Sequence, residues 1–534
     1  MNLSICQINP SLGDFKSNKE KILKYILKSK DLNSDIIIFP ELAICGYPPL
    51  DLIWEDGFIM ENDLVLNAVA NVSTVPIIIG CIRAEKNSIY NSAAICFDGK
   101  LQKYCDKILL PNYDVFDEKR FFHSGQTPKV FKIPVNDRSR KIGIQICEDM
   151  WDDDYNCKVS NLQKEMGAEL IINISASPYH ENKIKDRIEH VSLKAKQLRL
   201  PFIYCNMIGG QEELIFDGSS FAISKEGLLL SQARSFREDL KIVNLASNKK
   251  NIPSVMCREE QIFNALCLGV KDYFLKTGHE KTVLGLSGGI DSALVASIAV
   301  SALGKNNVCG ISLPSKFSSA HSLNDAKQLA TNLGIEYQVI KIHSIIESFE
   351  TTLKPSFKNE NSNIAEENIQ SRVRGNLLMA LANKFGWLVL STGNKTELAL
   401  GYCTLYGDMI GALSVIADLS KNDVYAISKW INTHNQNCIP INSLLKPPSA
   451  ELSPNQVDPF DYSIISPLVD EIIEKQKPLS VLINEGFEES LVHDIYKKIK
   501  INEYKRRQAP PGLRVSSKAF GIGRRLPIVN NFNG

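Results

Sequence analysis

Three polar side chains in the first half of the chain, and one glycine turn in the second, have the types and settings that chemistry needs. Cys147 closes the apolar run KIGIQIC, Glu41 follows DIIIFP, and Lys107 lies within KYCDKILLPNYDVFDEKRFF. A thiol attacks only after a base has taken its proton, and the tetrahedral oxyanion that forms needs a fixed cation or N–H donors. Glu41 can supply the base and Lys107 the cation. Taken singly, each has an ordinary reading: a small core thiol, a solvated carboxylate, a lysine snorkelling to water. In the second half the run VLGLSGGIDSALVASIAV, 283–300, reads as a buried strand, a glycine turn and a helix. Ser287, Gly288 and Gly289 let the backbone approach a pyrophosphate closely, and the free N–H groups of the following helix attract its charge, with Asp291 and Ser292 alongside. The same letters also suit a tight strand-to-helix turn that binds nothing. No lysine follows the glycines, so this is not a loop that presents a terminal phosphate for transfer.

Such groups need strand ends to carry them. Apolar β-branched runs recur through the first half at 35–41, 75–82, 141–149, 169–177 and 200–206, with helix-like stretches at 17–31 and 186–198. Strand-then-helix order predicts an α/β layered domain there. Residues 246–260, ASNKKNIPSVMCREE, break the pattern with polar residues and a proline, and place a boundary near 255. The expected division is therefore 1–245, a linker at 246–260, and 261–534. The second half restarts with strand, turn and helix. It continues with strand 308–314, helix 323–333, strand 337–342, helix 365–384 and strand 387–392. That order predicts a doubly wound parallel sheet, with ligands beyond the carboxyl ends of its strands, where SGGIDS, PSKFSS and STGNKTE all fall.

A chain of 534 residues, 44% hydrophobic, can bury two large cores. Its 61 basic and 60 acidic residues leave a formal charge of +1, so no global field favours nucleic acid or an anionic membrane. Any anion site must be local. MNLSICQINPSLGDF is neither a signal nor a transit sequence, and no apolar run reaches the length of a membrane span, which predicts a soluble cytoplasmic protein. Thirteen cysteines without paired spacing predict reduced thiols rather than a disulfide frame or a structural zinc site.

FPELAICGYPPLD, LPNYDVFDEKRFF and ICEDMW resemble the nitrilase, or carbon-nitrogen hydrolase, superfamily, and especially its glutamine-amidase branch. The resemblance implies a nitrilase-like α/β/β/α sandwich with Glu41 as general base, Lys107 as oxyanion stabiliser, Cys147 as nucleophile and Glu118 as a second supporting carboxylate. It further implies a glutamine pocket drawn from Tyr113, Ser175, Ser177, Lys183 and Arg187, with Ser175 and Ser177 as amide donors and Arg187 as a carboxylate clamp. The family commonly has a Gly-Lys pair where this chain reads Asn182-Lys183.

The glycine turn resembles the pyrophosphatase-type loop (PP-loop) of ATP-dependent adenylating enzymes of the adenine-nucleotide alpha hydrolase type, which grip pyrophosphate as a leaving group. Through 367–432, and again through 446–458 and 503–529, the chain resembles glutamine-dependent NAD synthetases. That resemblance implies an ATP site at Gly285, Leu286, Ser287, Gly288, Gly289, Ile290, Asp291, Ser292 and Thr392. It implies a deamido-NAD site at Arg372, Asn376, Asn394, Lys395, Glu397, Asp408, Lys421 and Lys505, and magnesium (Mg2+) held by the hard oxygens of Asp291 and Glu397. Arg372 and Arg374 can meet phosphate; the ordinary reading, for them and for Lys421, is cover for a solvated helix face. The basic cluster Lys505, Arg506, Arg507, Arg524 and Arg525 suits substrate phosphate or a subunit contact better than nucleic acid. The proline-rich 446–458 reads as an ordered functional loop or a lid. Asp458 receives no role, because relatives often continue Asp-Glu where this chain reads VDPFDYS.

Together the halves imply an amidase joined to an amidating enzyme, with glutamine or ammonia as nitrogen source and ATP adenylating deamido-NAD. Free ammonia is mostly protonated at neutral pH and then cannot attack, so the resemblance implies a closed passage for it. It also implies a homo-oligomer, from dimer up to octamer, with no nucleic-acid or membrane partner. Two other classes stay open at this level: an ATP-dependent amidotransferase for another carboxylate or a nucleobase, and a non-catalytic binding or scaffold protein on the same fold.

Overall fold

β-Branched runs form the central strands of the computed structural model, which describes residues 1–534 apart from 56, 247–251, 253, 254, 359, 435, 436, 455, 533 and 534. The chain divides into two compact units, Met1–Gln211 with Ile215–Val255, and Glu212–Leu214 with Met256–Gly534. The linker expected at 246–260 lies in part outside the described residues.

In the first unit two six-stranded sheets lie face to face. Edge to edge, one runs Asp239–Asn244, Asn2–Gln7, Ile36–Ile38, Ile77–Glu85, Ser88–Phe97 and Lys100–Asp106. The other runs Leu229–Gln232, Phe221–Ile223, Phe202–Asn206, Leu170–Ser175, Arg138–Ile146 and Val130–Val135. Successive side chains point to opposite faces, so Leu3, Ile5, Ile36 and Ile38 meet Ile142, Ile144, Ile172 and Ile174 in the layer between the sheets. The outer face of the first sheet buries Ile37 and Ile79 against Ile22, Ile26, Val65 and Val69 of helices Phe15–Asp31 and Phe58–Asn71. The outer face of the second buries Ile171 and Phe202 against Val191 and Ala195 of helix Lys183–Leu198. This is the expected α/β/β/α sandwich. Because both faces of each sheet are covered, its central strands read as continuous apolar runs, each fully buried isoleucine contributing about 1.5–3 kcal/mol relative to exposure.

Parallel pairing is confined to the middle of each sheet. The flanking strands pair antiparallel, which alternation of strand and helix does not foresee. Ser88–Phe97 and Lys100–Asp106 form a hairpin that turns at Asp98 and Gly99, both at positive φ. Asp-Gly is a hairpin signal that a search for apolar runs overlooks.

In the second unit the sheet order is Glu336–Val339, Val308–Ser312, Thr282–Gly285, Leu388–Ser391 and Leu413–Ser414, parallel throughout. It is the doubly wound arrangement expected. Strand order reverses at Thr282–Gly285, and a crevice opens at such a point. Helix Ile290–Leu303 leaves that strand, and helix Ile364–Phe385 packs through Ile369, Val373, Leu378 and Ala382. Helices Tyr462–Ile473, Leu479–Asn484 and Glu489–Ile501 close a further core around Leu468, Leu482, Val492 and Ile495. Among the described residues no helix is long and apolar enough to cross a membrane.

Candidate active site

Cys147 follows strand Arg138–Ile146 and turns, at φ 43°, into the single turn Cys147–Met150. Glu41 follows Ile36–Ile38 and Lys107 follows Lys100–Asp106, so three separate strands deliver the trio. Lys107 Nζ donates to Glu41 Oε1 at 2.8 Å and to Glu118 Oε1 at 2.7 Å. Asn91 Nδ2 donates to Glu41 Oε1, and the Ala176 N–H to Glu41 Oε2, each at 2.7 Å. Tyr47 Oη donates to Glu118 Oε1 at 2.8 Å. All three charged groups are buried. Taking each ion out of water costs several kcal/mol, so the cluster depends on every charge keeping its partners.

Burial would lower the Lys107 ammonium, but Glu118 and Glu41 outweigh it and hold it well above its ordinary value. Burial pushes the Glu118 carboxyl up to about 7 against the pull of Lys107. The Cys147 thiol is pushed far up by burial, with Glu41 adding to the effect and Lys107 opposing it. Cys147 therefore rests as a thiol, and attack requires a base. Asp149 tethers the arrangement. Its carboxylate accepts the N–H groups of Ile108 and Leu109, beside Lys107, at 3.0 and 2.8 Å, and that of Ile146, beside Cys147, at 3.0 Å. Asn91, Tyr47 and Asp149 carry no spacing that marks them in the sequence.

Around the thiol, Tyr113 Oη lies 3.1 Å from each Glu148 oxygen, and Lys183 Nζ stands 4.3 Å over the Trp151 ring. Ser175 Oγ donates to Asn173 Oδ1 at 2.6 Å, and Asn173 Nδ2 donates to the Cys147 carbonyl at 3.3 Å. The Ser177 N–H is held by Asn206 Oδ1 at 2.9 Å. Arg187 departs from expectation. It donates to both Asp217 oxygens at 2.7 and 2.9 Å, to Ser177 Oγ at 3.2 Å, and to the carbonyls of Ser177 and Pro178 at 2.8 and 2.9 Å. Its guanidinium has five N–H donors and all are used, so Arg187 builds the loop carrying Ser177 and has none left to clamp a substrate carboxylate.

In the second unit a cavity of about 310 Å³ opens beyond the strand ends, and its lining includes Gly285, Leu286, Ser287, Gly289, Ile290, Asp291, Thr392, Glu397, Asp408 and Lys421. Gly288 serves the turn instead. At φ +78°, a Cβ there would stand 2.2 Å from the Ser322 carbonyl oxygen. Ser292 braces the same turn, its Oγ 3.2 Å from Ser287 Oγ and donating to the Gly289 carbonyl at 3.1 Å. The start of helix Ile290–Leu303 thus lines the cavity, where its N–H groups suit phosphate. Lys421 Nζ lies 2.5 Å from Asp291 Oδ2 and 3.3 Å from Glu397 Oε1, and Asn394 Nδ2 donates to Asp291 Oδ1 at 2.9 Å. Burial pushes Glu397 up to about 7, with Lys421 drawing it down and Asp291 up. Two carboxylates converging on one ammonium form a hard-oxygen donor set that suits magnesium, which typically takes one or two carboxylates and completes its shell with phosphate oxygens and water. Among the described residues no group of three or more His, Cys, Asp or Glu could hold a metal unaided.

Five residues expected on deamido-NAD have other partners or places. Lys395 is buried against Glu474, Asp470 and Asp418 at 2.5, 3.0 and 3.5 Å. Lys505 Nζ donates to the carbonyls of Gly401 and Cys403 at 2.7 and 2.8 Å, and Arg372 Nε to that of Leu405 at 3.2 Å. Asn394 caps helix Lys395–Leu400, and Asn376 is exposed on helix Ile364–Phe385 away from the cavity lining. For the three basic residues the cause is shared: cationic side chains near a site are taken up by adjacent carbonyls and carboxylates. Arg374 does line the cavity, with Nε donating to the Leu313 carbonyl at 3.0 Å. Ser371, Tyr402, Lys446, Glu451 and Asp458 line it too. Only the proline-rich stretch hints at the last three.

Comparison with known proteins gives a consistent set. A family model described as carbon-nitrogen hydrolase matches residues 2–249, and one described as NAD synthase matches residues 262–509. The chain is 42% identical over 556 residues to the glutamine-dependent NAD(+) synthetase of Synechocystis sp., covering 99% of each. It is 40% identical over 576 residues to that of Thermotoga maritima, covering 100% of this chain and 99% of the relative. Among solved structures, the glutamine-dependent NAD+ synthetase from Acinetobacter baumannii in complex with adenosine diphosphate superimposes with a TM-score of 0.80 at 36% identity, over 99% of this chain and 98% of that one. A glutamine-dependent NAD(+) synthetase from Cytophaga hutchinsonii, at 21% identity and a TM-score of 0.85 over 99% and 98%, shares the fold.

Proposed function

The chain belongs to the glutamine-dependent NAD(+) synthetase family, and from that premise we propose how its residues divide the reaction. It is an ATP-dependent ligase that takes ammonia from glutamine and uses it to convert deamido-NAD to NAD, releasing glutamate, AMP and pyrophosphate. Membership sets aside the scaffold reading and the amidotransferases for other acceptors.

Glu41 takes the Cys147 proton, and the sulfur attacks the amide carbon of glutamine. Lys107 faces the resulting oxyanion. The C–N bond breaks as Glu41 returns the proton to the leaving nitrogen, and ammonia departs. Water then attacks the thioester, giving its proton to Glu41; the C–S bond breaks, Cys147 regains the proton, and glutamate leaves. Glu118 and Asn91 hold Lys107 and Glu41 in place, while Tyr113, Ser177 and Lys183 border the glutamine and Ser175 acts through Asn173. The observation that carries this reading is the buried Lys107 ammonium held between Glu41 and Glu118.

In the second unit the nicotinate carboxylate of deamido-NAD attacks the α-phosphorus of ATP and the bond to pyrophosphate breaks. Ammonia then attacks the mixed anhydride and displaces AMP. Ser287, Gly289 and the N–H groups of helix Ile290–Leu303 hold the pyrophosphate. Asp291 and Glu397 would hold magnesium, which when bound supplies positive charge against the leaving pyrophosphate. Lys421 adds to that charge, and Thr392 and Asp408 border the nucleotides. A homo-oligomer, from dimer to octamer, and a cytoplasmic setting belong to the same reading; the thirteen unpaired cysteines suit a reducing compartment, and sedimentation velocity reads the subunit number.

The test is an assay with deamido-NAD, ATP and magnesium, supplied with glutamine or with ammonium. NAD from both sources is the expected result. Glutamine cleavage with no NAD from either source would sink the reading.

A further inference from the structure

Lys395 is turned from the nucleotide cavity, yet Glu397, two residues later, lines it. Both stand in the first turn of helix Lys395–Leu400. Residues two apart on a helix point about 200° from one another, so the turn shows Glu397 to the cavity and sends the Lys395 ammonium to the side behind. Among the described residues three carboxylates meet it there. Those of Asp470 and Glu474 are partly exposed, whereas Asp418 is 2% exposed, as buried as Lys395 itself at 1%. Asp418 belongs to the turn that leads into helix Lys421–His434. Its carboxylate is already aimed, accepting the N–H groups of Val515 and Ser516 at 2.7 and 2.6 Å and the Ser516 hydroxyl at 2.7 Å.

Two short stretches therefore face each other, each with one charge of each sign. Lys395 and Glu397 lie on the first, Asp418 and Lys421 on the second. They pair twice, Glu397 with Lys421 at 3.3 Å on the cavity side and Lys395 with Asp418 at 3.5 Å behind. Between the pairs the Lys395 N–H donates to the Leu419 carbonyl at 2.8 Å, and the Lys421 N–H to Thr396 Oγ1 at 3.2 Å. On the function proposed above, the cation draws Glu397 and the pyrophosphate draws Lys421, which parts the front pair. The rear pair is out of reach of both and, being buried, is little screened by salt. We propose that Lys395 is a positioning residue: paired with Asp418, it keeps Glu397 in place for the cation once Lys421 has turned to phosphate. It touches no substrate itself. This rests on the magnesium assignment to Asp291 and Glu397 and deepens it.

The experiment measures ATP binding to the full chain by equilibrium dialysis, once with magnesium and once with EDTA. A damaged fold lowers both affinities together, whereas a displaced Glu397 removes only the gain from magnesium. In Lys395→Met, which keeps the stem and removes the charge, affinity in magnesium should fall about 10-fold, the scale of losing a group that orients a metal ligand. Affinity in EDTA should change little, and Lys395→Arg should restore most of the gain. Asp418→Asn keeps an oxygen for the two N–H groups and loses the charge facing Lys395; it should lower the gain similarly, and it decides the matter if Lys395→Met does not fold. Glu474→Gln leaves the rear pair intact and should leave the gain nearly unchanged. An unmoved gain in folded Lys395→Met or in Asp418→Asn, or an equal loss in Glu474→Gln, overturns the proposal alone. No gain from magnesium in wild type defeats the magnesium assignment and the proposal with it.

Discussion

The two ionic centres use the same letters, two carboxylates and a lysine, in opposite ways. In the first unit Lys107, Glu41 and Glu118 are 1%, 0% and 5% exposed; Asn91 and the Ala176 N–H also bond Glu41, and Tyr47 bonds Glu118 Oε1, while Glu118 Oε2 is buried without a partner. In the second unit Lys421 is 3% exposed, but Asp291 and Glu397 are each 19% exposed and line an open cavity of about 310 Å³. On the function proposed above, the first centre meets a charge that arises during the reaction, on an oxyanion beside it. Its groups are best held rigid and dry, where a fixed ammonium is worth most. On the same proposal the second receives a polyanion and its cation from solution. Its carboxylates stay reachable, and Lys421 is their counter-ion in the ligand-free protein. Burial of such a triad thus separates a site that stabilises a transient charge from one that binds a permanent one.

The largest expected effect divides the centres by activity. Cys147→Ala should lower glutamine-driven NAD formation by about 10⁴-fold or more while ammonium-driven formation continues. Asp291→Ala should abolish synthesis from either nitrogen source while glutamine is still cleaved. Glutamate release and NAD formation, measured side by side, check both; loss of both activities in either variant would break the division. The second contrast is in stability. Glu41→Gln strips a carboxylate from a buried ammonium and should cost about 3–5 kcal/mol of unfolding free energy. Glu397→Gln, at a wetter pair, should cost about 1 kcal/mol or less, and urea unfolding of the two variants compares them.

The pH dependence sharpens the same contrast. Glu118 has its carboxyl raised from 4.5 to about 7 by burial, so the folded state holds that proton more tightly than the unfolded one. Its contribution to stability is therefore full below about 4.5 and is lost as the pH rises through about 7. Unfolding free energies measured across that range should decline less steeply in Glu118→Gln than in wild type; equal slopes would count against the assignment. The smallest expected effect lies at the tether. Asp149→Asn retains an acceptor oxygen but loses one of three N–H partners, which should cost about 1 kcal/mol. It should appear as a lower kcat for ammonia release with KM little changed, because Asp149 positions the backbone beside Lys107 and Cys147 rather than touching glutamine.

Much of this was legible in the chain. Runs such as DIIIF and ELIINIS announce strands covered on both faces, and SGGIDS announces the strand-to-helix turn that Gly288 makes possible. The flanking strands were harder to see, since Lys100–Asp106 is half exposed and mixes charges with apolar residues. At the sites, Cys147, Glu41 and Lys107 stand out because each sits in an extended motif at a strand end. The acids that pair with Arg187 and Lys395 were hidden for one reason: a basic residue near a site looks free for a substrate until its acid is known. Asp217 lies 30 residues beyond Arg187, and Asp470 and Glu474 lie 75 and 79 beyond Lys395.

The sequence by itself determined the two halves, their layered α/β character, the family and the strand ends that bear the reactive groups, because apolar patterning and motif spacing act over short stretches of chain. Only the tertiary structure decided which charge neutralises which, and so which lysine or arginine is left for a ligand. Ion pairing depends on burial and on distances of a few ångströms between residues far apart in the chain, and neither is written in local sequence.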